Sequence, residues 1–431
     1  MVALIQSLKV LFLIFTTIIT VYYFIKDYKI GFKYYLFFVI LSGLLGFVRP
    51  IFAEEIILPI IIPLGVYTYY KRFNTTKISY ISLFILVYGV LMTLINKDAS
   101  FTGNDTYFIF GFVILAFSNY LFGNEKSSIN TFALLWLYVL ARTIWLITYG
   151  GSNVFLLSDL SEGGSRLLEF EAGLDNSTGK VRLDPNYLGF TMGFGFLLSL
   201  LFLINRKNLY KHLQFKFIRK KWFLAVVVII GLMEFWLSIR GLSRGVILAI
   251  LAAILTFLFL NKKIKTFAVT AILLVVSFVV FNDVINLFLL RFSEDNTGSG
   301  RYDMWESIWK LMISEGRILT GFGLNYPWWG SWEVGRHVYA STHNSWITIL
   351  LSVGLIGLIL LFVYISISLK NNYKANTTTS KIRIVMFAYL FVACFSIEPL
   401  MNSFGWIILA VSTSFDSKIS IIVKKWIKTR N

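Results

Sequence analysis

Apolar runs recur along the whole chain, separated by shorter polar stretches. Most of these runs approach the roughly 20 residues that a helix needs to cross a hydrocarbon core of about 30 Å. They lie at about 8–25, 34–48, 56–70, 78–95, 106–122, 129–149, 187–205, 222–239, 245–260, 266–284, 345–369, 384–398 and 403–416. This pattern predicts an all-α fold, a polytopic transmembrane helical bundle of about 12–13 spans.

The polar connections differ in charge from one side of this bundle to the other. The basic connections alternate along the chain and lie at 26–33, 71–77, 206–221, 262–265, 370–383 and 424–430. The positive-inside rule places their side in the cytoplasm. The net charge of +18 therefore indicates cytoplasmic loops, and we expect no nucleic-acid partner. Only 14% of the residues are charged, against about 25% in soluble domains.

The opposite, extracytoplasmic side carries two long loops, at 151–186 and 285–344. The predicted organisation is N-terminal spans (1–150), the smaller loop, central spans (187–284), the larger loop, and C-terminal spans with a basic tail (345–431). The larger loop has about sixty residues, which is long for a bare connection. We expect it to be partly helical and to hold the functional site.

The larger loop opens with a predicted helix and continues into a glycine pair. Residues 301–313 contain no Gly or Pro, and their spacing places Arg301 and Trp305 on one helical face. Gly321 and Gly323 allow the backbone to approach a ligand or a neighbouring helix closely. Tryptophans follow at 328, 329 and 332, and they fit either an interfacial aromatic belt or a platform that stacks on sugar rings.

The loop ends at His343 and Asn344, directly before the next span. A histidine at a helix mouth titrates near neutral pH and can act as a general base. The alternative is that the histidine only caps or bonds the start of the helix. Both alternatives place residue 343 at the outer end of the bundle.

Arginines form the second group of interest. Arg240 and Arg244 lie in a tight outer turn between two spans. The planar guanidinium group binds phosphate oxygens in a bidentate manner and stays charged. We therefore expect Arg244, Arg301 and Arg240 to converge on an anionic head group. The alternative is ordinary snorkelling of long basic side chains to the membrane interface.

The smaller loop ends in Asp184-Pro185-Asn186, a turn signal in which Asn186 is expected to cap the following helix and both polar residues to shape the outer cavity. The single cysteine, Cys394, excludes a disulfide within the chain and a thiolate metal cluster. Neither a Walker loop nor a metal-binding motif is apparent, so the sequence predicts no metal and no cofactor.

The order of these elements resembles the O-antigen ligase/polymerase superfamily over about 180–360. The resemblance is carried by Ser243-Arg244-Gly245 opening a span, Arg301-x3-Trp305, Gly321-Phe322-Gly323, His343-Asn344 leading into a span, and Gly354-x2-Gly357 within it. Asp184-Pro185-Asn186 is similar to another element of the family. The first 150 residues match only as hydrophobic spans.

The resemblance implies a metal-independent membrane glycosyltransferase with a GT-C-like fold, in the bacterial inner membrane with its site on the extracytoplasmic face. Such enzymes transfer a glycan from an undecaprenyl-pyrophosphate carrier to an acceptor hydroxyl. Carried over by position, Arg244 and Arg301 would bind the diphosphate, with Arg240 and Trp305 nearby, His343 would be the base, and Asn344 would orient or cap beside it.

Several functions share this site. We favour a polysaccharide polymerase, for O-antigen, capsule or exopolysaccharide, whose partners are the lipid-linked oligosaccharide, the acceptor glycan and membrane lipids. The alternatives are an O-antigen ligase acting on lipid A–core, a protein O-glycosyltransferase, and a flippase for lipid-linked oligosaccharide. The resemblance leaves open a further partner that regulates chain length.

Overall fold

The computed structural model describes residues 2–35, 64, 67, 78–96, 105–150, 168–171, 180–183, 185–209, 220–240, 243–262, 301–324, 332–334, 337–339 and 342–415. The helices in these ranges are α1 (Val2–Lys26), α2 (28–35), α3 (Ser79–Ile95), α4 (Asp105–Phe122), α5 (Glu125–Gly150), α6 (Pro185–Ile204), α7 (Arg206–Leu209), α8 (Lys221–Arg240), α9 (Arg244–Leu260), α10 (Arg301–Ser314), α11 (Ser345–Ala375), α12 (Thr378–Ala393) and α13 (Ser403–Thr413).

Two short antiparallel ribbons lie in the long loops. Strands β1 (Leu168–Glu171) and β2 (Lys180–Leu183) pair in the smaller loop, with Leu168 opposite Leu183. Strands β3 (Trp332–Val334) and β4 (His337–Tyr339) pair in the larger loop. Helices make up the rest of the regular structure within the described ranges.

The prediction of a polytopic helical membrane protein is confirmed. Among the described residues, α5, α6, α8 and α11 are long and apolar enough to cross a membrane, by length and composition. Shorter apolar helices accompany them, and most lie where the sequence predicted spans. The predicted spans at 56–70 and 266–284, and most of the one at 34–48, lie outside the described residues.

The predicted span at 384–398 is wrong at both ends. Helix α12 begins at Thr378, because the Thr377 side chain accepts a hydrogen bond from the Ser380 amide and caps it. It ends at Ala393, before Pro399 starts a short 3-10 turn over Pro399–Met401.

Arg383, which we assigned to a basic cytoplasmic connection, is instead buried within α12. Its guanidinium donates to Asn372 Oδ1 (3.2 Å) and to the carbonyl oxygens of Phe122 (2.6 Å) and Gly123 (3.1 Å). These bonds tie α12 to the ends of α4 and α11. They pair both Nη atoms of the buried guanidinium group, which offsets much of the cost of an arginine inside the bundle.

Helix α11 is broken at Gly354, where φ is 63° and ψ is −173°. The rings of Trp346 and Phe362 lie 5.1 Å apart. In a straight helix these positions would be about 24 Å apart along the axis. The two halves of α11, residues 345–353 and 355–375, therefore meet at a sharp bend. The second half is long enough by itself, at about 32 Å, to cross a hydrocarbon core.

The segment 318–323 packs into this break and forms hydrogen bonds with the backbone groups of α11 that the break leaves without helical partners. Phe322 N donates to Leu351 O at 2.7 Å, and Leu355 N donates to Ile318 O at 2.8 Å. An interrupted helix leaves amides and carbonyls unpaired, which is costly in an apolar bundle. The larger loop supplies the missing partners and is thereby fixed to α11.

Candidate functional site

The turn at residues 394–398, between α12 and the 3-10 turn, is where several elements of the candidate site meet. Ser345 N, at the start of α11, donates to Cys394 O at 2.9 Å and to Ile397 O at 3.3 Å. Leu400 N in turn donates to Ser345 Oγ at 3.3 Å. These bonds fix the beginning of α11 on this turn, which we call the 394–398 turn.

Two helices that each begin with an arginine start at Ser396, in the middle of the 394–398 turn. Arg301, the first residue of α10, donates from Nη1 to Ser396 O at 3.0 Å. Arg244 is the first residue of α9, and the next residue, Gly245, touches Ser396 so closely that a Cβ there would lie 1.4 Å from Ser396 Oγ. Only glycine permits this approach. The structure therefore places the starts of α9 and α10 on the same residue.

His343 joins the same region through its neighbour Asn344. The Asn344 side chain accepts hydrogen bonds from Trp346 N (2.9 Å) and Ile347 N (3.2 Å), so it is the N-cap of α11. Its Nδ2 donates to Phe395 O at 3.3 Å. Asn344 thus holds its own helix and the 394–398 turn together, with the partly exposed His343 next to it.

The backbone of His343 is in the left-handed region, with φ of 51°. Residues other than glycine adopt this conformation rarely, and such strain persists where the surrounding contacts impose it. The contacts on both sides of His343 supply that constraint. The conformation is consistent with a side chain that must point in a particular direction.

Glu398 is a site residue that the sequence reasoning missed. Its Oε1 accepts hydrogen bonds from Thr342 N (3.0 Å), Thr342 Oγ1 (2.6 Å) and Thr348 Oγ1 (2.8 Å). Thr342 is also held from α10, because Trp305 Nε1 donates a hydrogen bond to Thr342 O at 2.9 Å. The carboxylate therefore fixes the residue before His343 and the first turn of α11 at once.

A signal for Glu398 was present in the sequence. The acid stands in Ser396-Ile397-Glu398-Pro399, between two apolar runs. An acid followed by proline at the end of an apolar run marks the end of a helix and an aqueous mouth. The predicted span at 384–398 includes Glu398, so the sequence prediction placed this acid inside a helix and not at the site.

The two loop glycines lie deeper, at the break in α11. Gly321 has φ of 71°, and a Cβ there would lie 2.5 Å from Gly354 N. Gly323 has φ of 110°, and a Cβ there would lie 2.7 Å from the backbone of Thr93 on α3. The adjacent Leu324 N donates to Thr93 Oγ1 at 2.8 Å. These glycines therefore bring the loop against two helices and do not line the 394–398 turn.

The structure describes the remaining predicted site residues only in part. Arg240 ends α8, but its side chain lies outside the description, and so does all of Asp184. Asn186 is the second residue of α6, so its predicted role as the helix cap is wrong. Proline is favoured at the first helical position, which Pro185 occupies here. Trp328 and Trp329 also lie outside the described residues.

Within the described ranges, no group of three or more His, Cys, Asp or Glu side chains is placed to hold a metal ion. Among the described residues, Arg301 bonds to the 394–398 turn and Glu398 belongs to it, while Arg244 and His343 adjoin Gly245 and Asn344, which contact it. Chemically, this set combines cationic donors suited to an anion with a titratable imidazole.

Comparison with known proteins identified a matching protein family. A family model described as O-antigen ligase matches residues 236–362. The matched region begins near the end of α8, contains α9 and α10, and ends within the second half of α11. It includes both arginines and His343, whereas the 394–398 turn follows it. No curated protein and no solved structure matched the chain.

Proposed function

We propose that the chain is a membrane glycosyltransferase that polymerises lipid-linked oligosaccharide repeats, on the basis of the family model described as O-antigen ligase that matches residues 236–362. One observation carries the proposal. Arg301, the residue after Arg244, and the Asn344 that adjoins His343 all contact the same short turn. The residue types that a diphosphate leaving group and an acceptor hydroxyl require are therefore gathered at one end of the bundle.

The donor is proposed to be a glycan on undecaprenyl pyrophosphate. Departure of the pyrophosphate builds negative charge on its oxygens, and fixed guanidinium groups stabilise such charge without a metal. Arg301 and Arg244 begin their helices at Ser396, so their positions are set by backbone contacts. Preorganisation of this kind is what makes electrostatic stabilisation effective. The polyprenyl tail remains among apolar helix surfaces.

His343 is the proposed general base. Its imidazole accepts the proton of the acceptor hydroxyl as that oxygen attacks the anomeric carbon of the donor sugar. The bond between the anomeric carbon and the pyrophosphate oxygen breaks, and its electron pair leaves with undecaprenyl pyrophosphate. A single displacement of this type inverts the anomeric configuration. General-base assistance is typically worth 10²–10⁴-fold in rate.

Glu398 is proposed to position this base. It touches Thr342 and Thr348 and not the reacting atoms, so it acts by holding the backbone on either side of His343. Asn344 has the same kind of role through its cap and its bond to Phe395. Together they restrict where the imidazole can point.

We place the site on the extracytoplasmic face of the bacterial inner membrane. Lys370 and Lys374 lie in the last turns of α11, and Lys381 in the first turn of α12. The 394–398 turn is at the other end of α12 from these lysines. The positive-inside rule assigns the lysines to the cytoplasm, so the turn faces the outside. The bundle is proposed to be of the GT-C type.

An O-antigen ligase is the second candidate, because the matching family model carries that description. Polymerase and ligase would share the same donor site and the same base. They differ in the acceptor, which is a second lipid-linked repeat for the polymerase and lipid A–core for the ligase.

The deciding experiment incubates the purified full chain, in lipid nanodiscs, with lipid-linked repeats and then separately with lipid A–core. A ladder of products without added metal supports the polymerase, and a single transfer to lipid A–core supports the ligase. His343→Ala should abolish either product. If His343→Ala makes product at the wild-type rate, the proposed site is wrong.

A flippase is tested in cells with the same variant. His343→Ala should stop glycan chain growth while single lipid-linked repeats still reach the outer leaflet. Loss of the outer-leaflet repeats would instead indicate that the chain transports them.

A further inference from the structure

Helix α10 has an inward face that packs on the protein and two exposed sectors, one apolar and one charged. The inward face is apolar: Met304, Ile308 and Met312 are buried against Phe322 and Leu351. This face holds the helix against the first half of α11. Ordinary amphipathic helices would present only polar residues on the rest of the surface.

The exposed part of α10 is instead divided between apolar and polar side chains. Tyr302, Trp309 and Ile313 are 63%, 48% and 54% exposed. At about 100° per residue, these three positions fall within roughly 40° of each other. They therefore form one exposed apolar stripe along the helix.

The neighbouring sector of α10 is charged. Lys310 Nζ lies 2.7 Å from Glu306 Oε1, and both side chains are well exposed. The hydrogen bond and the charge of Lys310 hold the pKa of Glu306 below its usual value. Asp303 is exposed in the same sector. A solvated ion pair of this kind belongs in water, so the two exposed sectors fit different surroundings.

The apolar stripe leads toward the lipid-facing side of a span. Leu319, five residues after α10 ends, is exposed, and its carbonyl accepts from Ile356 N at 3.3 Å. Ile356 and Ile359 are exposed on the second half of α11, the half long enough to cross the membrane. Exposed apolar side chains therefore follow the chain from α10 through Leu319 to the second half of α11, a helix that is long and apolar enough to cross a membrane.

We propose that α10 lies in the membrane–water interface, with Tyr302, Trp309 and Ile313 in contact with the lipid of the leaflet nearest the 394–398 turn. Trp and Tyr are the residues that favour this interface, where one part of the side chain is apolar and the other is wet. The partner is the bilayer itself, because the segment after α10 bonds to the start of the spanning half of α11 through Leu319 and Ile356, whose side chains are both exposed. The charged sector faces the aqueous side.

The lipid contact does not require the transferase activity. If the proposed function also holds, the contact sets the depth of Arg301, the first residue of α10. The guanidinium would then lie at the level of lipid phosphates, where the diphosphate of a membrane-anchored donor is also found. The match in depth between Arg301 and the donor diphosphate rests on the proposed function, whereas the lipid contact of α10 does not.

The test measures lipid and water exposure along α10 in the full chain. Cys394 is buried, so Cys394→Ala provides a background for single cysteines. Spin labels are placed at 302, 309 and 313, and at 303 and 310 as matched controls on the same helix. Power saturation with oxygen, which concentrates in lipid, and with a water-soluble nickel chelate is then recorded in nanodiscs of phosphatidylethanolamine and phosphatidylglycerol.

We expect the ratio of oxygen to nickel accessibility to be several-fold higher at 302, 309 and 313 than at 303 and 310. Equal ratios in the two groups would overturn the proposal, because the whole exposed surface would then be in water. Low accessibility to both reagents at 302, 309 and 313 would also overturn it, since a protein surface would cover the stripe.

A second measurement avoids the labels. Brominated lipids quench tryptophan fluorescence by contact, and the difference in quenching between wild type and Trp309→Phe isolates Trp309. Clearly stronger quenching in the wild type supports the lipid contact, and equal quenching in the two proteins contradicts it. If the lipid contact is found while the purified chain makes no product from lipid-linked repeats or with lipid A–core, the proposed function fails and the present inference stands.

Discussion

Replacing Glu398 by glutamine tests whether the backbone around His343 must be held for transfer to occur. Glu398 Oε1 accepts three hydrogen bonds, two from Thr342 and one from Thr348. A hydrogen bond to a charged group contributes about 1.5–3 kcal/mol and a neutral one about 0.5–1.5 kcal/mol. Glutamine keeps the acceptor oxygen and removes the charge, so each bond weakens by about 1 kcal/mol.

The sum of about 3 kcal/mol is an upper value, because Glu398 is partly exposed and water screens its charge. Halving it gives about 1.5 kcal/mol, which corresponds to about a tenfold loss of the arrangement in which His343 is correctly placed. We therefore expect Glu398→Gln to lower kcat about tenfold. The KM for the lipid-linked donor should change little, since Arg301 and Gly245, the residue after Arg244, keep their contacts with Ser396.

The assay is the initial rate of chain growth by purified protein in nanodiscs, with donor concentration varied. Thr348→Val removes one of the three donors and should give a smaller loss, of about two- to fivefold. Glu315→Gln is the matched control, because this acid is exposed just beyond α10 and should have no effect. If Glu398→Gln retains the wild-type kcat, or raises only the donor KM, the reasoning about the positioning of His343 is refuted.

Other predictions follow from the same contacts. Gly245→Ala should sharply lower transfer, because its Cβ would lie 1.4 Å from Ser396 Oγ, and Ser396→Gly should restore part of the rate in the double variant; no recovery would exclude this clash as the cause. Arg301→Lys should raise the donor KM at least tenfold, because lysine cannot bind bidentately, and an unchanged KM would contradict diphosphate binding. Gly354→Ala should lower the melting temperature by several degrees, whereas Gly316→Ala, with similar φ but open space around it, should lower it less. Transfer should persist in EDTA, and loss that added divalent metal restores would contradict a metal-independent reaction.

The sequence by itself determined the class of fold and the side on which the chemistry was expected. Long apolar runs must form helices in lipid, because a backbone without water must bond to itself. The helices over 79–95, 185–204, 221–240 and 244–260 therefore begin and end within two residues of the predicted spans. The alternation of basic connections supplied the expected orientation in the same local way.

The tertiary structure decided how distant residues meet. Three contacts join residues that are 56 to 151 positions apart in the chain: Gly245 with Ser396, Arg301 with Ser396, and Glu398 with Thr342. The break at Gly354 is also of this kind, because it is stabilised by the segment 318–323 and not by its own helix. Apolar periodicity records burial along one element, whereas these contacts depend on packing between elements, which a single sequence does not encode in any local pattern.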